Sequence, residues 1–137
     1  MKTHTTNYFN VFIEVAEDCP VDAALLPPQK ANPSVAELQY KIISKNPYQY
    51  TSDDIIFEVF SIKNDFSESE KLEERQKFFS KGQPCLRCSA LAKRYGFGFH
   101  HDFQGKVALF PMESKEYKDF LSSETLKKVK AMRSKKA

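Results

Sequence analysis

The side chains best able to do chemistry crowd into one run, Lys81-Gly-Gln-Pro-Cys-Leu-Arg-Cys-Ser-Ala-Leu-Ala-Lys-Arg-Tyr-Gly-Phe-Gly-Phe-His100. Ser89 sits where a short helix should begin, so its hydroxyl and the free backbone N–H groups beside it suit an anion. Arg87 lies just before it, and a guanidinium grips a carboxylate or phosphate with two bonds. Lys93, Arg94 and His100 follow closely. Gly96 and Gly98 let a ligand or another backbone approach. The pattern predicts an anion-friendly pocket built from Arg87, Ser89, Lys93, Arg94 and His100. Each residue also has a plainer reading: Ser89 as a helix cap, Arg87 as a surface charge, the glycines as turn residues.

Cys85 and Cys88 stand in Cys-x-x-Cys spacing with His100 and His101 downstream, a set that zinc could use. Neighbouring residues on a strand point to opposite faces, however, so His100 and His101 cannot both turn to one ion. There is no second Cys pair, and no metal or cofactor is expected. A Cys-x-x-Cys can also form a redox pair. That motif usually follows a strand in a thioredoxin-like pattern, which is missing here. Cys88 and Arg94 match the spacing of a phosphatase loop, but Ala90-Leu91-Ala92 continues a helix where such a loop needs glycines. An enzyme using Cys85 or His100 in the pocket is the alternative to a binding domain.

The other chemical signals are weaker. Asp53-Asp54 falls where helix-capping acids belong, Glu17-Asp18 at a strand end, and Glu73-Glu74 on a polar helix face. From Lys127 the chain turns basic, with Lys127, Lys128, Lys130, Arg133, Lys135 and Lys136 and no acid after Glu124. That could attract nucleic acid, and an accessory protein working through this half is a third reading. Leu126, Val129 and Met132 recur at spacing three, though, which predicts a docked amphipathic helix with a solvated basic face. No aromatics are interleaved for base stacking, so nucleic acid is not the favoured partner. Removing residues 131–137 should then cost little core.

These residues must be held by an ordinary globular chain. It has 137 residues, 41% hydrophobic and 28% charged, which excludes a disordered or fibrous protein. The length suits a single domain over residues 1–137. Three cysteines, an odd count, fit free thiols in a reducing compartment. No apolar run approaches a bilayer span, and the start lacks a secretory pattern, so a cytoplasmic location is expected. Residues 1–70 hold five lysines against eleven acids, a net of −6. Residues 71–137 hold sixteen basic residues against seven acids, a net of +9. The two halves either pack charge against charge or leave the basic one for an anionic partner.

Tyr8–Ala16 alternates with Phe9, Val11, Ile13 and Val15 on one face, which predicts a strand. Asn32-Pro33 opens a helix carrying Val35, Leu38, Ile42 and Ile43, and Asn46-Pro47 stops it. Thr51-Ser-Asp-Asp54 predicts a capped helix start, although the β-branched and aromatic run 55–62 also suits a strand. Glu68–Lys81 reads as a helix stopped by Gly82, and Ser89–Tyr95 as a short one closed by Gly96. Phe97–Phe103 and Lys106–Phe110 read as a hairpin sharing a sheet with the first strand. Two helices, 113–121 and 123–132, complete the chain. The expected class is α+β, a small antiparallel sheet of three or four strands packed against several helices.

The chemical run, with Tyr50-Thr-Ser-Asp-Asp54, Lys130-Ala-Met-Arg-Ser-Lys135 and the opening Thr3-His-Thr-Thr-Asn-Tyr-Phe9, resembles a family of small bacterial proteins. That family is the domain of unknown function 6157, and the resemblance spans nearly the whole chain. It implies kinship without a mechanism. Cys88 and His101 look like departures from the family's pattern, so it implies no shared role for them. The residues themselves favour a small cytoplasmic binding domain for an anionic ligand, with no membrane partner.

Overall fold

A computed structural model describes residues 3–134. Four strands form one sheet: β1 (Val11–Glu14), β2 (Phe97–His101), β3 (Val107–Pro111) and β4 (Lys127–Lys130), in the order β3-β2-β1-β4. Five helices surround it: α1 (Val35–Lys45), α2 (Ser52–Asn64), α3 (Glu68–Phe78), α4 (Ala90–Lys93) and α5 (Lys115–Ser122). The class is α+β. Among the described residues no helix is long and apolar enough to cross a membrane.

The expected hairpin forms. β2 pairs antiparallel with β3, Phe99 opposite Leu109, and β1 joins β2 with Ile13 opposite Phe99. Val11, Ile13, Phe97, Phe99 and Val107 enter one core with Ile43, Ile55, Leu86 and Leu91. The strand starts later than its alternation suggests. Asn10 takes a left-handed φ of 55°, and Phe9 stays 56% exposed. Phe12 is fully buried too, because β1 is central and both its faces are covered. On the second face Phe12 packs edge-on to Tyr117 and stacks on Phe120, both from α5.

The chain end departs most from expectation. Residues 127–130 form a strand, not the second half of a helix, and β4 runs parallel to β1 with Ile13 opposite Val129. The sheet is therefore mixed. A helix there would leave one edge of β1 with unpaired backbone groups, a cost local helical spacing does not register. Val129 turns to the core, and Ala131 is buried with its N–H on the Glu14 carbonyl at 2.9 Å. Ala131, the first of residues 131–137, is thus part of the core. Lys135 and Lys136 lie outside the described residues.

The helices follow their caps. Thr51 closes a capping box with Asp54 at the start of α2, which decides for helix over strand. Such a cap is worth about 1 kcal/mol. The Asp53 carboxylate accepts bonds from Thr5 Oγ1, Thr6 N and Thr6 Oγ1, so it ties the N-terminal segment to α2. Ser34, not Asn32, caps α1, because Ser34 Oγ accepts from the Glu37 N–H at 3.1 Å. α3 ends at Phe78, short of Gly82, and none of its residues is fully buried. Phe78 anchors its end against Phe57 and Phe60, and Phe79 packs edge-on to Phe78.

The charge asymmetry is partly internal. Arg75 pairs with Asp54 at 2.9 Å and Lys71 with Glu58 at 3.6 Å. Lys130 and Arg133 both reach Glu17. Each of these four pairs joins a cation from the basic half to an acid of the other.

Candidate functional site

Three neighbouring structures bring the Cys85–Ser89 stretch together. Pro84 and Cys85 leave α3's end and lead into a single 3-10 turn, Leu86–Cys88. Leu86 is driven into the core with no exposed surface, which fixes the turn. Cys85 and Cys88 lie on its outer side, where they, Ser89 and Ala90 form one wall of a groove. The opposite walls are Val35, Ala36 and Gln39 of α1 and Ile56, Val59 and Phe60 of α2. The groove holds about 400 Å³, within the roughly 300–1,000 Å³ usual for small-ligand sites. Lys63, exposed, stands at its rim with Nζ 3.0 Å from the Pro33 carbonyl.

The five residues expected to form an anion pocket are distributed as follows. Ser89 lines the groove and is buried; its hydroxyl donates to Gln39 Oε1 at 2.5 Å and accepts from the Leu91 N–H as cap of α4. Arg87 turns to the chain end, where Nε donates to the Lys130 carbonyl at 2.8 Å and its own carbonyl accepts from Met132 N–H. Lys93 is half-buried and Arg94 exposed, both following Ser89 on or after α4. His100 faces the other side of the sheet. It stacks on Phe120 with ring centres 4.3 Å apart, and its Nδ1 meets the Tyr48 hydroxyl at 2.9 Å. The structure therefore gathers Ser89 with the two thiols and does not bring His100 to them.

Gly96 and Gly98 serve the fold. Gly96 has φ +81°, a conformation that favours glycine. A Cβ on Gly98 would lie 2.5 Å from a Phe12 ring carbon and 2.7 Å from one of Tyr117. The close approach that Gly98 permits is to these rings.

Tyr8 is a site residue that the sequence reading left in the first strand. Its ring packs against the core, and its hydroxyl lies 3.2 Å from Cys85 Sγ. Burial, and then the neighbouring Cys85, push the Tyr8 hydroxyl up to about 12, with Arg87 pulling the other way. It therefore stays protonated at neutral pH. The spacing of 77 residues between Tyr8 and Cys85 carries no local signal. Lys63 was equally hidden, one of many surface lysines until the α1–α2 packing placed it. Cys19, Cys85 and Cys88 are all free thiols. Among the described residues no three His, Cys, Asp or Glu side chains gather as a metal site.

The chain matches the model of a family of unknown function, DUF6157, over residues 3–137. It belongs to that family. No curated protein and no solved structure matches it.

Further cavities of about 450, 680 and 480 Å³ flank α3. Polar groups of the first, Asp54 with Arg75 and Glu58 with Lys71, are already paired with each other. At the thiol-lined groove the rim cation, Lys63, bonds a backbone carbonyl instead of an acid.

Proposed function

We propose that this chain is a single small-ligand binding domain. Its site is the groove between α1, α2 and residues 84–90, and its ligand is a small anion with an apolar body. The observation that carries the reading is the contrast within that groove. Val35, Ile56, Val59 and Phe60 line it with hydrocarbon, and Lys63 places an ammonium at the rim. A carboxylate at the rim would replace the Pro33 carbonyl as partner of Lys63, so that the ammonium meets a full negative charge instead of a carbonyl dipole. Ser89, retained from the sequence set, lines the same groove. The three free thiols support a reducing compartment, the cytoplasm of a bacterial cell in this reading.

Medium-chain carboxylates and the alcohols of the same length, titrated by calorimetry and thermal shift, test it. Carboxylates should bind, the matched alcohols should bind more weakly, and Lys63→Ala should remove the difference. Val59→Asp should abolish both. Equal binding by Val59→Asp and the parent chain would show that the ligand sits elsewhere. No binding by any carboxylate would overturn the proposal.

A further inference from the structure

We propose that Cys85 and Cys88 form a redox-active dithiol that closes to a disulfide by exchange with a low-molecular-weight disulfide such as glutathione disulfide. The backbone fixes the pair. Cys88 N–H donates to the Cys85 carbonyl at 3.0 Å across the 3-10 turn. A turn of this kind keeps the two Cα atoms within about 7 Å, and a disulfide needs about 4.4–6.8 Å. Both cysteines line the same groove. Leu86, sealed in the core between them, holds the turn in place.

The two thiols are not equivalent. Cys88 is exposed and meets an incoming disulfide first. Cys85 is half-buried, with the Tyr8 hydroxyl 3.2 Å from its sulfur. The Tyr8 hydroxyl is thereby placed to hydrogen-bond the Cys85 sulfur as it attacks. Arg87 lies close enough to Tyr8 to influence its ionisation.

The chemistry balances in two steps. Cys88 loses its proton to solvent, and its thiolate attacks one sulfur of glutathione disulfide. The Cys88–glutathione bond forms, the glutathione S–S bond breaks, and the first glutathione thiolate leaves and is protonated. Cys85 then loses its proton, and its thiolate attacks Cys88 Sγ. The Cys85–Cys88 bond forms and the second glutathione leaves as a thiol. The protein dithiol is oxidised by two electrons, and one glutathione disulfide is reduced to two glutathiones.

The site differs from the thioredoxin arrangement in that no strand leads into it; the segment before Cys85 is an irregular stretch after α3. It also stands apart from the ligand reading, since its test uses glutathione alone.

The test is the full chain exposed to glutathione disulfide at neutral pH, quenched by alkylation and mapped by peptide mass spectrometry. The parent chain should accumulate a Cys85–Cys88 disulfide carrying no glutathione. Cys85→Ser should stop at a stable glutathione adduct on Cys88. Cys88→Ser should react more slowly, at Cys85. Tyr8→Phe should lengthen the life of the mixed disulfide on Cys88 several-fold, with Cys85→Ser as the limiting case. The proposal is overturned if the parent accumulates the same stable adduct as Cys85→Ser, or if both thiols stay reduced while the glutathione buffer is oxidising. Far-ultraviolet circular dichroism confirms that each variant is folded; Cys85→Ser alone suffices if Tyr8→Phe is not.

Discussion

His100 and His101, adjacent in β2, turn their rings to opposite faces of the sheet and into opposite surroundings. His100 lies against Phe120 and meets the Tyr48 hydroxyl. His101 is fully buried beside Tyr8, ring centres 5.4 Å apart, and neither of its ring nitrogens has a hydrogen-bond partner. The strand's alternation produces the split. It separates one histidine that is hydrogen-bonded at the edge of α5 from one that must remain neutral in the core.

His101 should therefore make the protein acid-sensitive. Burial pushes its imidazole down from 6.5 to about 4, while the nearby backbone of Val11 and Phe99 opposes this more weakly. The folded value lies below the unfolded one, so the unfolded chain binds more protons between them. Stability is present above about pH 6.5 and is lost as pH falls toward 4, by roughly 3 kcal/mol for a shift of this size. His100, also lowered by burial, adds in the same direction. His101→Leu should flatten most of the pH 6.5 to 4 slope in urea unfolding. An unchanged slope would place the acid sensitivity elsewhere.

Gly98→Ala should destabilise the fold by about 2–3 kcal/mol, the upper range for overpacking. The added Cβ would meet the Phe12 and Tyr117 rings at 2.5 and 2.7 Å, with the Ile13 carbonyl 3.0 Å away. Chemical denaturation measures the loss. A double variant with Phe12→Leu should recover part of it, because two residues in contact do not act additively.

Arg75→Ala should cost about 1 kcal/mol. Arg75 bonds Asp54 at 2.9 Å and its guanidinium lies over the Phe57 and Phe79 rings. Solvent reaches both partners of the ion pair, which limits its worth. The Asp54 carboxyl is held below its usual value even though burial, the largest influence, raises it; the Thr51 bonds and Arg75 outweigh that burial. A lowered carboxylate contributes stability above its unfolded value of 3.8 that disappears as pH falls through the folded value. Arg75→Ala should weaken that loss below about pH 4, read from thermal unfolding at a series of acid pH values.

Features governed by neighbours in sequence were legible in it. The Thr51–Asp54 capping box and the hairpin turning at Asp102–Gly105 follow from local residue types; the pairing of β2 with the distant β1 was legible only through the apolar face that each strand presents. What escaped depends on distant partners. Leu126, Val129 and Met132 have helical spacing, yet the open edge of β1 makes residues 127–130 a strand. Phe12 gave no sign of burial because the α5 rings that cover it are about a hundred residues away. At the site, Cys85, Cys88 and Ser89 were visible as a cluster, whereas Tyr8 and Lys63 join them only through packing.

The parallel pairing of β4 with β1 yields the last prediction. A chain ending at Leu126 should fail to fold, whereas one ending at Ser134 should keep the stability of the full chain. The first loses the partner of Val11–Glu14 together with buried Ala131, and exposes the backbone groups of a central strand. The second removes only residues 135–137, including Lys135 and Lys136, and leaves β4 and Ala131 in place. Arg87→Ala is the intermediate case. It removes the 2.8 Å bond from Nε to the Lys130 carbonyl while leaving the β1–β4 pairing in place, at a cost of about 1 kcal/mol. Hydrogen exchange at Val129 and Ala131 should then speed up, while exchange in β2 stays slow. Were the end of the chain a docked helix, Arg87→Ala would leave exchange at Ala131 unchanged.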